Sequence, residues 1–255
     1  MSHLSVDINC DMGESYGRFR VGNDEAIFPY ISSCNIACGF HGGDPLHIER
    51  TIQLAQQYDV QIGAHPSYPD LSGFGRRKME IPLEELKALV KYQISAVKGL
   101  AESHGVPLKY VKPHGALYNT VAKSEAESRA IIEAVREISG DLILLGLAGS
   151  VTAELSIKMD QPFAAEAFAD RKYESDGSLR SRNLEGAVLT DPEKAAQQVL
   201  SIIKDEKVIA YNGDSVSIKA DSICIHGDNT NAVHILQSIS ESLDAEGIMK
   251  KSFVS

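Results

Sequence analysis

Residues 60–112 read VQIGAHPSYPDLSGFGRRKMEIPLEELKALVKYQISAVKGLAESHGVPLKYVK, and they contain one whole repeat of the fold. Residues 60–64 are a short apolar run closed by His65-Pro66, the signature of a buried strand. Pro82 then opens a helix with Glu84 and Glu85 in its first turn. Leu86, Leu89, Val90, Val97 and Leu100 form its apolar stripe, and Gly105 ends it. A second apolar run, 108–112, follows at once. Strand, long loop, helix, short turn, strand is the repeating unit of a parallel sheet.

The same alternation extends both ways. Upstream, 4–9 and 33–38 read as strands, and Asp44-Pro45 caps a helix with Ile48, Ile52 and Ala55 on one face. Downstream, a helix over 124–138 precedes a strand at 142–146. A short helix after Ser150 leads to a strand at 163–168. Asp191-Pro192 starts a helix with Ala195, Val199 and Ile202. Residues 208–219 alternate around Asn212-Gly213, a hairpin turn. A seventh core strand lies at 223–226. Asn229 or Thr230 caps a last helix carrying Ala232, Leu236, Ile239 and Leu243. Turns from helix back to strand are short, whereas loops 66–81 and 169–190, which leave strands, are long. Long loops on the carboxyl side fit a barrel with its site at that face. The expectation is an α/β chain forming one domain over 1–255.

Composition narrows the function. The 255 residues are 43% hydrophobic and 24% charged, an ordinary globular balance with enough chain for a large core. No apolar run reaches membrane-spanning length. The opening residues lack the basic and apolar stretches of a signal peptide, so a cytoplasmic location is expected. A net charge of −10 argues against nucleic acid as main partner but leaves room for a local anion site. Cys10, Cys34, Cys38 and Cys224 form no CxxC pair and read as reduced thiols.

The strand ends carry the chemistry. The first strand finishes with Asp7, Asn9, Asp11 and Glu14; Asn35, His41 and Asp44 come at the second, His65 and Asp70 at the third. Lys112 and His114 end the fourth, Glu166, Asp170 and Arg171 the sixth, His226 and Asp228 the seventh. In a barrel these positions converge on one mouth. A lysine ending a buried strand is costly unless it meets an anion or loses its proton, so Lys112 reads as an oxyanion partner or a base. His41, His65, His114, Asp7 and Asp11 together could ligate a divalent metal, yet there is no HxH or helical i,i+4 pair, and the metal is left open. His3, His47, His104 and His234 receive no role. Two arginine-bearing loops, one with Arg76 and Arg77 after paired glycines and one with Arg171, Arg180 and Arg182, suit carboxylate or phosphate. No GxxxxGK[ST] run occurs, and the GLAGS run at 146–150 is a weak phosphate signal.

Six segments in order, DINCDMGESYG, SCNIACGFHGGDP, GAHPSYPDLSGFGRR, VKPHGALYN, EAFADRKY and IHGD, resemble the LamB/YcsF family, from Val6 to about Asn231. The resemblance implies an irregular seven-stranded (β/α) barrel of the polysaccharide-deacetylase type. It also implies ATP-dependent opening of 5-oxo-L-proline to L-glutamate, with ADP and phosphate as co-products. In that scheme the chain is the A component of a 5-oxoprolinase with partner subunits B and C, and ATP is co-substrate with Mg. The residue roles that follow are Asp11 or His114 as base, His65 as acid or orienter, and Lys112 on the oxyanion. Asn9, His41 and Glu166 would bind the lactam, Arg171 or Arg77 the substrate carboxylate, with Asp7, His226 and Asp228 also lining the substrate site. A stand-alone metal-dependent deacetylase or amidohydrolase, and a non-catalytic 5-oxoproline-binding component, are the alternatives.

Overall fold

The computed structural model describes residues 4–254; His3 lies outside them. Ten strands and eight α-helices follow in chain order: β1 (Ser5–Met12), α1 (Asp24–Ile27), β2 (Ser33–Ala37), α2 (Pro45–Gln57), β3 (Gln61–His65), α3 (Leu83–Ser103), β4 (Leu108–Val111), α4 (Gly115–Val121) and α5 (Glu125–Ile138). Then come β5 (Ile143–Leu147), α6 (Val151–Lys158), β6 (Phe163–Phe168), α7 (Pro192–Asp205), β7 (Lys207–Ile209), β8 (Ser215–Ser217), β9 (Ser222–Ile225), α8 (Ala232–Ala245) and β10 (Met249–Lys250).

Seven parallel strands run β1-β2-β3-β4-β5-β6-β9, and β9 pairs with β1 to close the barrel. β7 and β8 form the hairpin expected around Asn212-Gly213, outside the barrel, and β10 runs beside the first residues of β1. Helix starts obey local chemistry. Asp44 accepts hydrogen bonds from the Leu46 and His47 amides, and Asp191 does the same for Glu193 and Lys194. Each long helix lays its apolar stripe on the barrel exterior, where Ile8, Cys10 and Met12 of β1 point outward.

The strand period of two sends Asp7, Asn9 and Asp11 to the opposite face, inside the barrel. β1 is longer than the sequence pattern suggested, so Asp11 belongs to the strand and not to a following turn. The barrel interior is polar in successive layers. Asp7 accepts from Ser32 (2.6 Å), Ser33 (2.7 Å) and Ser222. Above it, Asn35 donates to Asn9 at 2.7 Å and accepts from the Tyr110 hydroxyl at 2.8 Å. Gly63 makes room for that tyrosine: a Cβ there would stand 2.2 Å from its ring. Below Tyr110, Phe253 packs at 5.1 Å between ring centroids, and Ser252 meets Ser33, so residues 252–254 stopper the amino end.

Candidate functional site

The ladder between β3 and β4 continues past their ends: the Lys112 amide donates to Ala64 and the His114 amide to Pro66. This holds Lys112 and His114 beside His65 at the barrel mouth. All three are buried, as is Asp11 across from them.

Lys112 is the hub. Its ammonium lies 2.7 Å from Glu166 Oε1, 3.0 Å from Asp11 Oδ1, 3.2 Å from Asn9 Oδ1 and 3.1 Å from Cys224 Sγ. Burial works against its charge, but Asp11 leads the neighbours that outweigh burial and push its pKa up. Ion-paired to two carboxylates, it is placed to act as a cation. Burial likewise opposes charge on Asp11, yet His65 and Lys112 hold that carboxyl well below its usual range. Asn9 donates to Glu166 at 2.9 Å and to Ser222 at 2.7 Å. Asn9 and Glu166 thus lie under the ammonium and fix it, where the sequence pattern had them binding the lactam.

His65 Nδ1 donates to the Lys112 carbonyl at 2.7 Å, and His114 Nε2 donates to the Phe74 carbonyl at 2.9 Å. Their inner nitrogens, His65 Nε2 and His114 Nδ1, are 2.9 Å apart, with Asp11 Oδ2 3.3 Å from the former. Carbonyls only accept, so both outer nitrogens carry protons, and a proton held between the inner nitrogens makes one ring an imidazolium beside the Asp11 carboxylate. Burial keeps His114 and His41 far below the usual imidazole range. Burial and the neighbouring Asp11 push the Glu14 carboxyl up, and it lies 3.1 Å from His41.

A cavity of about 600 Å³ opens on this group, lined by Asp11, His65, Lys112, His114, Tyr118, Arg171 and His226. Tyr118 carries a buried hydroxyl without a partner, and Glu166 Oε2 is also unpartnered. The sequence pattern passed over Tyr118 and Tyr110 as site formers, whereas Asn35 stands among the strand-end polar residues it singled out. The period-two alternation in β1 and β2 marks Asn35 as inward-facing; Tyr118 sits on α4, which no pattern announced. Arg171 is 5% exposed, its Nε has no partner, and its Nη2 donates only to the Arg180 carbonyl. His226 is held by Asp170, 2.9 Å away, and stacks on Phe168.

Other candidates stand elsewhere. Asp7 is two layers down, fully engaged by serines. Arg77 is turned outward onto Asp70, Asp228 pairs with Arg76, and His41 lines a second cavity of about 1040 Å³ with Glu14 and Arg77. The glycine-flanked loop is anchored: Gly75 accepts from the Ala116 amide at 2.9 Å, besides the Phe74–His114 bond.

For a metal, Glu14, His41, His65 and His114 present ligand atoms within 4.8 Å of one another. His41 and His114, however, lie face to face, centroids 3.7 Å apart and planes 6° apart. In-plane lone pairs in two parallel planes cannot both point at one ion, so the four do not fit as a single coordination set. Asp11, Cys224 and His226 form a second group, but the Lys112 ammonium touches two of its members and opposes a cation. Among the described residues, no helix is long and apolar enough to cross a membrane.

The LamB/YcsF family model matches residues 6–255. The chain belongs to the LamB/YcsF family. The A subunit of 5-oxoprolinase from Acinetobacter baylyi is 50% identical over 98% of both chains. The lactam utilization protein of Thermus thermophilus is 42% identical with a TM-score of 0.93, covering 98% of this chain and 100% of that one. A family 4 carbohydrate esterase from Streptomyces lividans shares the fold alone: 10% identity and a TM-score of 0.51, over 96% of this LamB/YcsF chain and 91% of its own.

Proposed function

We propose that this chain opens the ring of 5-oxo-L-proline to L-glutamate in an ATP-dependent reaction, as the A component of an assembly with partner subunits B and C. Among the site's features, one carries most weight. Asp11, Lys112 and the His65–His114 pair share one buried mouth with Arg171, a guanidinium with no carboxylate partner among the described residues. A small ring with a carboxylate fits that arrangement. The relatives named above support the lactam.

A lactam is a stabilised amide and a poor electrophile. Transfer of the ATP γ-phosphoryl group to its oxygen, with loss of ADP and the N–H proton, makes the ring carbon reactive. Water then adds to that carbon. Its bond to nitrogen breaks, nitrogen takes a proton and leaves as the α-amine, and the remaining acyl phosphate takes a second water to give carboxylate and phosphate. Arg171 holds the substrate carboxylate. Asp11 orients the attacking water and Lys112 stabilises negative charge on oxygen. The shared proton of the His65–His114 pair goes to the leaving nitrogen. ATP, with Mg, is the co-substrate.

The test is glutamate formation from 5-oxoproline and ATP, by this chain alone and with candidate partner subunits. Glutamate formation in either mixture supports the reading. Its absence in both, with metal-dependent amide cleavage in its place, sinks it.

A further inference from the structure

Four cations on the wall of the mouth cavity have no ion-pair partner among the described residues: Arg171, Arg182, Lys78 and Lys123. Of the carboxylates on that wall, Asp11 is ion-paired to Lys112, and Glu127 accepts from the Ser124 hydroxyl and keeps its charge, one anion against four cations. A chain with an excess of ten acidic groups has therefore gathered unpaired positive charge at one cavity. Arg171 is the anchor, buried with its Nε unsatisfied. Burial first, and the like charge of Arg182 second, bring its pKa down to about 10, which leaves it charged and in want of an anion.

One carboxylate answers one of these cations; a phosphoryl ester adds close to two further negative charges. We propose that this wall is a site for a phosphoryl group borne by the substrate, so that the chain receives its lactam already phosphorylated and carries out the ring-opening half of the reaction. The inference rests on the reading of the mouth as a lactam-opening site, and it adds where the phosphoryl transfer takes place: before the ligand is bound here. The step at this site needs only water, which adds to the ring carbon. The C–N bond breaks and phosphate departs with the second hydrolysis.

Phosphoenolpyruvate, a carboxylate with a phosphoryl group on an unsaturated carbon–oxygen bond, is a stable probe. Calorimetric titration of the intact chain should show it binding at least about tenfold tighter than pyruvate. That preference should fall below about threefold in Arg182→Gln and in Lys123→Gln, and return in Arg182→Lys, with thermal melts confirming folded protein. Equal binding of the two probes overturns the proposal. So does ATP binding tighter than phosphoenolpyruvate with the same dependence on Arg182, because the nucleotide is then the phosphoryl source at this wall. Glutamate formation in the reconstituted mixture is scored separately, so loss of probe discrimination with retained turnover defeats this inference and leaves the lactam reading standing.

Discussion

His65 Nε2 and His114 Nδ1 face each other at 2.9 Å while each ring donates from its other nitrogen to a backbone carbonyl. The backbone thus dictates the tautomers, and the only adjustable proton in the pair is the one between the rings, next to Asp11. His114→Ala removes one of the two rings that share it and should lower turnover by about 10²- to 10⁴-fold with the fold retained. Steady-state kinetics with circular dichroism checks this; unchanged kcat would take the pair out of the proton path.

Lys112 should be as much a structural as a chemical residue. Lys112→Met leaves Asp11 and Glu166 buried without their counter-charge, which should cost about 3–5 kcal/mol. Adding Glu166→Gln should restore much of that stability and none of the activity. Denaturant melts of the single and double variants, read beside glutamate formation, separate the two roles.

Asp7 supplies a pH dependence away from the mouth. Burial, against three serine hydroxyls, raises its carboxyl from 3.8 to about 6. Between those values the folded chain keeps a proton that the unfolded chain has lost. The contribution therefore falls as pH rises through this window, by up to about 3 kcal/mol. Asp7→Asn should flatten the stability slope between pH 4 and 6, measured by urea melts across that range; an unaltered slope would contradict it.

Gly75 has φ of +63°, and a Cβ there would stand 2.7 Å from His114 Cδ2 and 2.9 Å from His41 Cβ. Gly75→Ala should cost about 1–3 kcal/mol through left-handed strain and displace the His114 ring, so that kcat falls more than tenfold (an order-of-magnitude expectation). Wild-type turnover in this variant would show that the loop yields without moving the site.

The barrel strands and the long helices were legible because each has a strong period and a stop signal, as in residues 60–112. The convergence of Asp11, His65, Lys112 and His114 was legible too, since a parallel barrel gathers its strand ends. Direction within the mouth was not. Asn9 and Glu166 sit at strand positions like that of Lys112, and only the register of β1 against β9 and of β9 against β6 shows them beneath the ammonium. Helix α4 escaped notice because it begins at Gly115, which reads as a breaker after Pro113, yet Gly115 has φ of +55° and precedes an ordinary helical turn. Tyr118 was hidden with it. Tyr110 reads as a core aromatic; that its hydroxyl ties into a polar interior depends on Gly63 lying opposite.

The stopper formed by residues 252–254 gives the barrel a floor. What reacts above Lys112 uses the doorway at the mouth, where departure of a product must precede arrival of the next ligand in the same cavity. A protein seated over that doorway would act as its gatekeeper, setting the pace of exchange without touching a reacting atom.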